Sequence, residues 1–245
     1  MTVTMNPAER HRGLPAVRVP RLAGRGTPGA RPPLSRLPWE RAALLGPFIL
    51  ADGSAAAEQA TTVRIAGDRQ ALYLRFDCAD RDAWGTCGRR NDPIYLEEAV
   101  EVFLAPGEDD PRRYWEIDVS PLGVVFAARI DHPTGRRADL LADTSWECRG
   151  LEWQVGATGA AQDWWAALAI PWAAVGTGHG RRWRANFYRI ERPRDGGKTE
   201  LSCWSPTLTE PPDFHRPARF GTLDVEAAPA AGSPVPARAR DTDPG

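Results

Sequence analysis

Three acidic residues of this 245-residue chain, Glu101, Glu116 and Asp118, have the type and spacing to do chemistry. Glu101 lies in EAVEVFL at 98–104, where Val100, Val102 and Leu104 share one face and Glu101 with Phe103 the other. Glu116 and Asp118 lie in YWEIDV at 114–119, opposite Trp115, Ile117 and Val119. Two carboxyls on neighbouring strands can act on a glycosidic bond as acid and nucleophile if they stand about 5 Å apart, or as acid and base at about 6.5–9.5 Å. The same groups can instead accept hydrogen bonds from a ligand without turnover. Asn186 and Arg189, in the segment 182–190, add an amide and a guanidinium, although an ordinary ion pair of Arg189 with Glu101 across strands is the plainer alternative. Trp84, in the loop ADRDAWGTCGRRND, serves either as a lid over a site or as a loop anchor. Other machinery is missing from the sequence: there is no GxSxG elbow, no HExxH and no phosphate loop. The four cysteines and four histidines lack the paired spacing of a zinc site.

The elements that must position these groups are strands. ALYLRFDC alternates Leu72, Leu74 and Phe76 with Tyr73, Arg75 and Asp77; the SPLG turn at 120–123 joins YWEIDV to VVFAARI as a hairpin. Further strands are expected at 151–156, 163–170, 182–190 and 219–225, and PWAAVG at 171–176 makes one helical turn stopped by Gly176. The 23 Gly and 23 Pro residues, roughly a fifth of the chain against an ordinary ~12%, argue against a helical bundle. The pattern predicts an all-β protein, a single antiparallel β-sandwich of jelly-roll type. Residues 1–35 read as an extended, disordered lead-in, from which VRVP at 17–20 can add an edge strand; 36–226 form the folded body, and 227–245 a disordered Ala/Pro/Gly tail.

With 31 basic and 32 acidic residues interspersed, and a pI near 6.4, the chain has no footprint for nucleic acid. It has no run of the ~18 apolar residues that a membrane helix needs. The N-terminus lacks the apolar stretch of a secretory signal, so a cytoplasmic location with reduced cysteines is expected.

In order along the chain, ALYLRFDCAD, DPIYLEEAVEVFLAP, RRYWEIDVSPLGVVF, WWAALAIPWAAVG, WRANFYRIERP and CWSPT followed by FHRPARFGTLDV resemble the family 9 carbohydrate-binding modules, over about 36–226. The resemblance implies a β-sandwich that grips a terminal sugar between two aromatic rings, flanked by polar side chains of one sheet face. Carried over, the first ring lies six residues before the Glu of VEVF, at Tyr95, and the second in the WS of WSPT, at Trp204. The polar strand of those modules falls on Glu116 and Asp118. Tyr95 stands where the xylanase-linked modules have Trp, and Glu116 and Asp118 where they carry basic or amide groups, so their preference for reducing-end glucose or xylose does not transfer directly. A sugar presents an apolar C–H face and a rim of hydroxyls, which the rings and the polar types at Glu101, Glu116, Asn186 and Arg189 suit; Trp204 also reads as a core or rim aromatic.

The function these features imply is non-catalytic binding of a mono- or oligosaccharide or a polysaccharide end, in carbohydrate catabolism. The alternatives are a glycoside hydrolase using Glu101 and Glu116, or an interaction sandwich that has lost sugar binding. No cofactor is implied beyond the structural calcium of the resembled modules, for which GEDDP at 107–111 and RDGG at 194–197 offer oxygens.

Overall fold

The computed structural model describes residues 13–22, 33–158, 162–176 and 181–226; the expected tail at 227–245 lies outside them. Fourteen strands run in chain order: β1 (Ala16–Val19), β2 (Ala43–Leu45), β3 (Ile49–Leu50), β4 (Thr61–Gly67), β5 (Ala71–Cys78), β6 (Ala99–Pro106), β7 (Arg113–Val119), β8 (Val125–Asp131), β9 (Leu141–Asp143), β10 (Glu152–Ala157), β11 (Trp164–Pro171), β12 (Arg182–Glu191), β13 (Glu200–Cys203) and β14 (Gly221–Val225). One sheet has the order β1-β14-β12-β6-β7-β8-β9, with β13 on β12 and β3 on β13; the other is β10-β11-β5-β4-β2. The two sheets pack as the expected sandwich. Every ladder is antiparallel except β1 with β14.

The alternating segments form the strands that their period predicts, because one face of each must leave water. Val100, Val102 and Ile117 of the first sheet meet Leu74, Phe76 and Leu168 of the second in the main core, with Phe76 edge-on to Phe187 at 6.3 Å. The helical turn Trp172–Val175 follows Pro171 and ends at Gly176, whose φ of 118° belongs to the region glycine tolerates best. β4 also alternates but was not anticipated. β2, β3, β9 and β13 have two to four residues each, too few to carry a period.

Within the lead-in, the described residues 13–22 and 33–35 belong to the fold: β1 takes the edge position open to VRVP, pairing along β14, and Val19, Leu22 and Leu34 are buried. Leu22, Leu34, Leu37 and Trp39 cover the outer face of the second sheet around Tyr73 and Ala167. The outer face of the first sheet is covered as well. Phe103, Tyr114, Tyr188 and Phe220 form a second core there, beneath the segment that joins β13 to β14. All four cysteines are free thiols. No helix among the described residues is long and apolar enough to cross a membrane.

Arg189 points into the sandwich, because it pairs with Val100 and shares that residue's inward face. Its guanidinium is 1% exposed and lies 2.6 Å from Asp80, which follows β5, and 3.5 Å from Glu98, which precedes β6; it also bonds Glu191. The ring of Trp164 lies 4.9 Å from it, and the Trp164 Nε1 donates to Asp80 at 3.0 Å. Burial pushes Glu98 up to about 9 despite the opposing pull of Arg189. This network joins the two sheets at one end. Arg189→Met would strand the carboxyls without a counter-charge, a change that costs about 3–5 kcal/mol in buried pairs and lowers Tm by roughly 6–20 °C in a chain of this size. Calorimetry should show a loss in that range; a loss below about 1 kcal/mol would show that the network does not hold the sheets together.

Candidate functional site

On the outer face of the first sheet, Glu101 of β6 stands directly opposite Asp118 of β7, and Phe103 opposite Glu116. Carboxyl oxygens of the three acids lie within 4.8 Å of one another, and the residues are 3%, 6% and 0% exposed for Glu101, Glu116 and Asp118. Neither oxygen of Asp118 has a hydrogen-bond partner. The segment after β13 covers them and is tied down by polar bonds. Asn186 accepts from Ser205 N–H at 3.0 Å and donates to Ser205 C=O at 2.8 Å. The Tyr188 hydroxyl donates to Phe214 C=O at 2.8 Å, and the Tyr114 hydroxyl meets His215 Nδ1 at 2.7 Å. Phe214 stacks on Tyr188 with centroids 4.2 Å apart.

Tyr95 approaches on the helical turn Ile94–Leu96, anchored by buried Ile94 and by the edge-on contact of Tyr95 with Phe126 at 5.3 Å. The turn's approach is held by Glu97, whose carboxylate accepts from the Thr86 hydroxyl, Thr86 N–H at 2.9 Å and Cys87 N–H at 3.2 Å. Between Tyr95, Phe126, Phe214 and His215 lies a cavity of about 330 Å³, within the size range of ligand sites. Glu101 and Glu116 line it, with Arg137, Asp213 and Arg192. Asp118 stands behind the two glutamates.

Desolvation dominates the electrostatics. Burial and the neighbouring Glu116 charge raise Glu101 well above the usual carboxylate range. Burial pushes Glu116 up to about 8, against the lowering pull of Arg137. Burial, then the charges of Glu101 and Glu116, raise Asp118. Three carboxyls this close in a dry site cannot all ionise. Burial and the Arg137 charge lower His215 to about 3, so its imidazole is neutral at physiological pH.

Of the residues singled out by sequence, Tyr95, Glu101, Glu116 and Asp118 therefore come together. The rest serve elsewhere. Trp204 packs beneath the sheet against the main core, 5.6 Å from Phe187, over Gly221, where a Cβ would come within 2.3 Å of the ring. It is a partly buried core aromatic, not the second plate. Arg189 lies on the inward face and does not pair with Glu101. Asn186 is buried and holds the covering segment. Trp84 anchors its loop, donating from Nε1 to Arg192 C=O at 2.6 Å. Phe214, His215, Arg137 and Asp213 were missed. The only sequence signal for the first two was the FHRP that follows WSPT, a stretch without a period.

A model of carbohydrate-binding family 9 matches residues 55–225, most of the chain. The chain belongs to carbohydrate-binding family 9. Among relatives of this family 9 chain, an "Extracellular protein" of Arthroderma benhamiae is 28% identical over 161 residues, 59% of this chain and 70% of that one. A candidate carbohydrate-binding protein from Bacteroides uniformis ATCC 8492 superposes with a TM-score of 0.66 at 21% identity, over 86% of this chain and 99% of the other. A family 9 module from Caldicellulosiruptor kristjanssonii in complex with glucose gives 0.60 at 13%, over 89% and 100%; one in complex with cellotriose gives 0.55 at 12%, over 90% and 99%. At these identities the structural likeness shows the fold.

Several of the expected calcium donors have other partners. In the 107–111 loop Glu108 pairs with Arg182 at 4.0 Å and Asp110 with Arg184 at 3.4 Å; at 194–197 Asp195 accepts from Gly197 N–H at 2.9 Å. Two buried acid clusters have the proximity for a cation, Asp80 with Glu98 and Glu191, and the triad. Arg189 already fills the first. The triad stands on strands whose backbone carbonyls are used by the ladders, so it offers at most the six oxygens of three carboxyls that burial biases towards the protonated form, the lower end of what calcium takes. Neither cluster is a good match for a structural calcium ion.

A raised carboxyl pKa favours the folded state at acid pH and loses that advantage as pH rises from the ordinary 4.5 through about 8. His215, lowered from 6.5 to about 3, contributes in the opposite sense, but only below 6.5. Above about pH 6.5 the carboxyl contribution therefore stands alone of the two. Glu116→Gln removes the Glu116 share. The Tm of the wild type minus that of the variant, measured by calorimetry between about pH 6.5 and 8.5, should fall steadily with pH; a flat difference would mean that Glu116 is an ordinary ionised carboxylate.

Proposed function

We propose that this chain binds carbohydrate without cleaving it, with one sugar ring seated in the cavity under Tyr95 and Phe214. The ring's C–H face lies on an aromatic side chain and its hydroxyls reach Glu101 and Glu116. The observation that carries this reading is the meeting of aromatic rings and buried carboxyls in one cavity of about 330 Å³. The complexes of family 9 modules with glucose and cellotriose support it. A second cavity of about 360 Å³, between Glu58, Arg81, Glu191 and Lys198, has no aromatic ring in its wall and offers no such plate. Binding is favoured over turnover because hydrolysis requires carboxyls flanking the scissile bond, whereas Glu101 and Glu116 share one wall. A module that holds sugar ends in this way would serve carbohydrate catabolism.

Calorimetric titration with glucose and cellotriose, beside a hydrolysis assay on whatever binds, tests the reading. Tyr95 is 40% exposed, so Tyr95→Ala should weaken binding about three- to tenfold or more with little change in Tm. Trp204→Ala should do the reverse, costing about 3 kcal/mol of stability while the folded variant keeps its affinity. Equal loss of affinity in both variants would move the site, and release of sugar would end the non-catalytic reading.

A further inference from the structure

We propose that the cavity selects a sugar bearing a free amino group, held as its ammonium, over the corresponding neutral sugar; this rests on the carbohydrate reading above. The argument begins with two buried acid clusters of the same chemistry. Asp80, Glu98 and Glu191 close around the Arg189 guanidinium, which touches all three. Glu101, Glu116 and Asp118 gather as closely but no cation among the described residues makes an ion pair with them, Arg137 and Arg192 standing elsewhere around the cavity. A buried acid cluster needs a counter-charge or protons. In the first cluster the chain supplies the charge; in the second the compensating position opens onto the cavity.

The groups facing that position come from every surrounding element. Glu101 stands on β6, Glu116 and Asp118 on β7, and Asp213 with His215 in the covering segment; Arg137 lies in the turn between β8 and β9, and Arg192 after β12. Asp213 partners Arg137 at 3.6 Å, and His215 is neutral. Three carboxyls then face one further guanidinium, Arg192, so acidic groups outnumber the remaining cation. Asp118, fully buried with both oxygens unpartnered, stands behind the two glutamates and can ionise once a cation compensates the cluster. A metal needing six or more oxygens is poorly served here, for the reason given above. An ammonium needs only three acceptors, which the carboxyl oxygens of Glu101 and Glu116 can supply. A cation seated there lowers the pKa of each carboxyl, so protons leave the cluster as the ligand binds.

The test is calorimetric titration of the full chain, at neutral pH and low salt, with glucosamine, glucose and N-acetylglucosamine. Each titration is repeated in two buffers of different ionisation enthalpy, and calcium alone is titrated in parallel. Glucosamine should bind about tenfold or more tighter than either neutral sugar and should alone release protons. Asp118→Asn, with Glu116→Gln as the second variant should the first fail to fold, should bring the ratio of glucosamine to glucose affinity towards one. Glucose or N-acetylglucosamine binding as tightly as glucosamine overturns the selection and leaves the carbohydrate reading standing. If none of the three sugars binds, the carbohydrate reading itself fails. Calcium binding that Asp118→Asn abolishes would assign the cluster to a metal and overturn the proposal.

Discussion

A guanidinium in a dry core must be surrounded by its counter-charges, and the placement of Arg189 follows from that constraint. Its partners come from both sheets: Asp80 and Trp164 from the second, Glu98 and Glu191 from the first. Satisfying Arg189 therefore sets how the sheets meet at that end. It also fixes what lies on the other side of the first sheet. Successive residues on β12 point to opposite faces, so holding Arg189 inward holds Tyr188 and Ile190 outward. Glu98 does the same for β6, since anchoring it three residues before Glu101 sets the start of the strand and the turn that carries Tyr95. A one-residue slip would exchange the faces throughout and bury Glu101 in the apolar core.

The outer face shows a second trade. Buried carboxyls weaken a fold unless paired, and the triad is covered by chain without being neutralised by it. The cover is nevertheless well fixed, through Asn186 to Ser205, Tyr188 to Phe214 and Tyr114 to His215. Strain in the acids coexists with rigidity around them, the combination expected where local stability has been set aside for binding. Arg137 eases the repulsion from the rim but, mostly exposed and shared with Asp213, it does not remove it.

Much of this was legible in the sequence. Period-2 alternation placed Glu101 opposite Val100 and Val102, and Glu116 with Asp118 opposite Ile117, and a motif spacing put Tyr95 beside them. Alternation says which residues share a face, but not what covers that face. β6 is buried on both sides, although its alternation shows only one apolar and one polar face. Arg189 was read as a partner for Glu101 although their parity across the ladder puts them on opposite faces, a distinction that needs the register and not the composition. Trp204 lies one residue beyond β13, where the ladder ends and period no longer assigns a side. Phe214 and His215 arrive on irregular chain whose path is set by side-chain bonds to distant strands, and no local pattern encodes such bonds.

The covering segment explains how so irregular a stretch can build a precise wall. Its anchors project from strands held by ladders: Tyr188 lies between β6 and β13, Asn186 is paired with β6, and Tyr114 is paired with β8. Each anchor transfers that rigidity to one point of the segment: Ser205, Phe214 or His215. The ordering entropy of the wall is thereby met during folding and not at the moment of binding. The floor and the wall are thus built from one set of strands, inward residues joining the sheets and outward residues fixing the cavity, so that the site is as well defined as the sandwich beneath it.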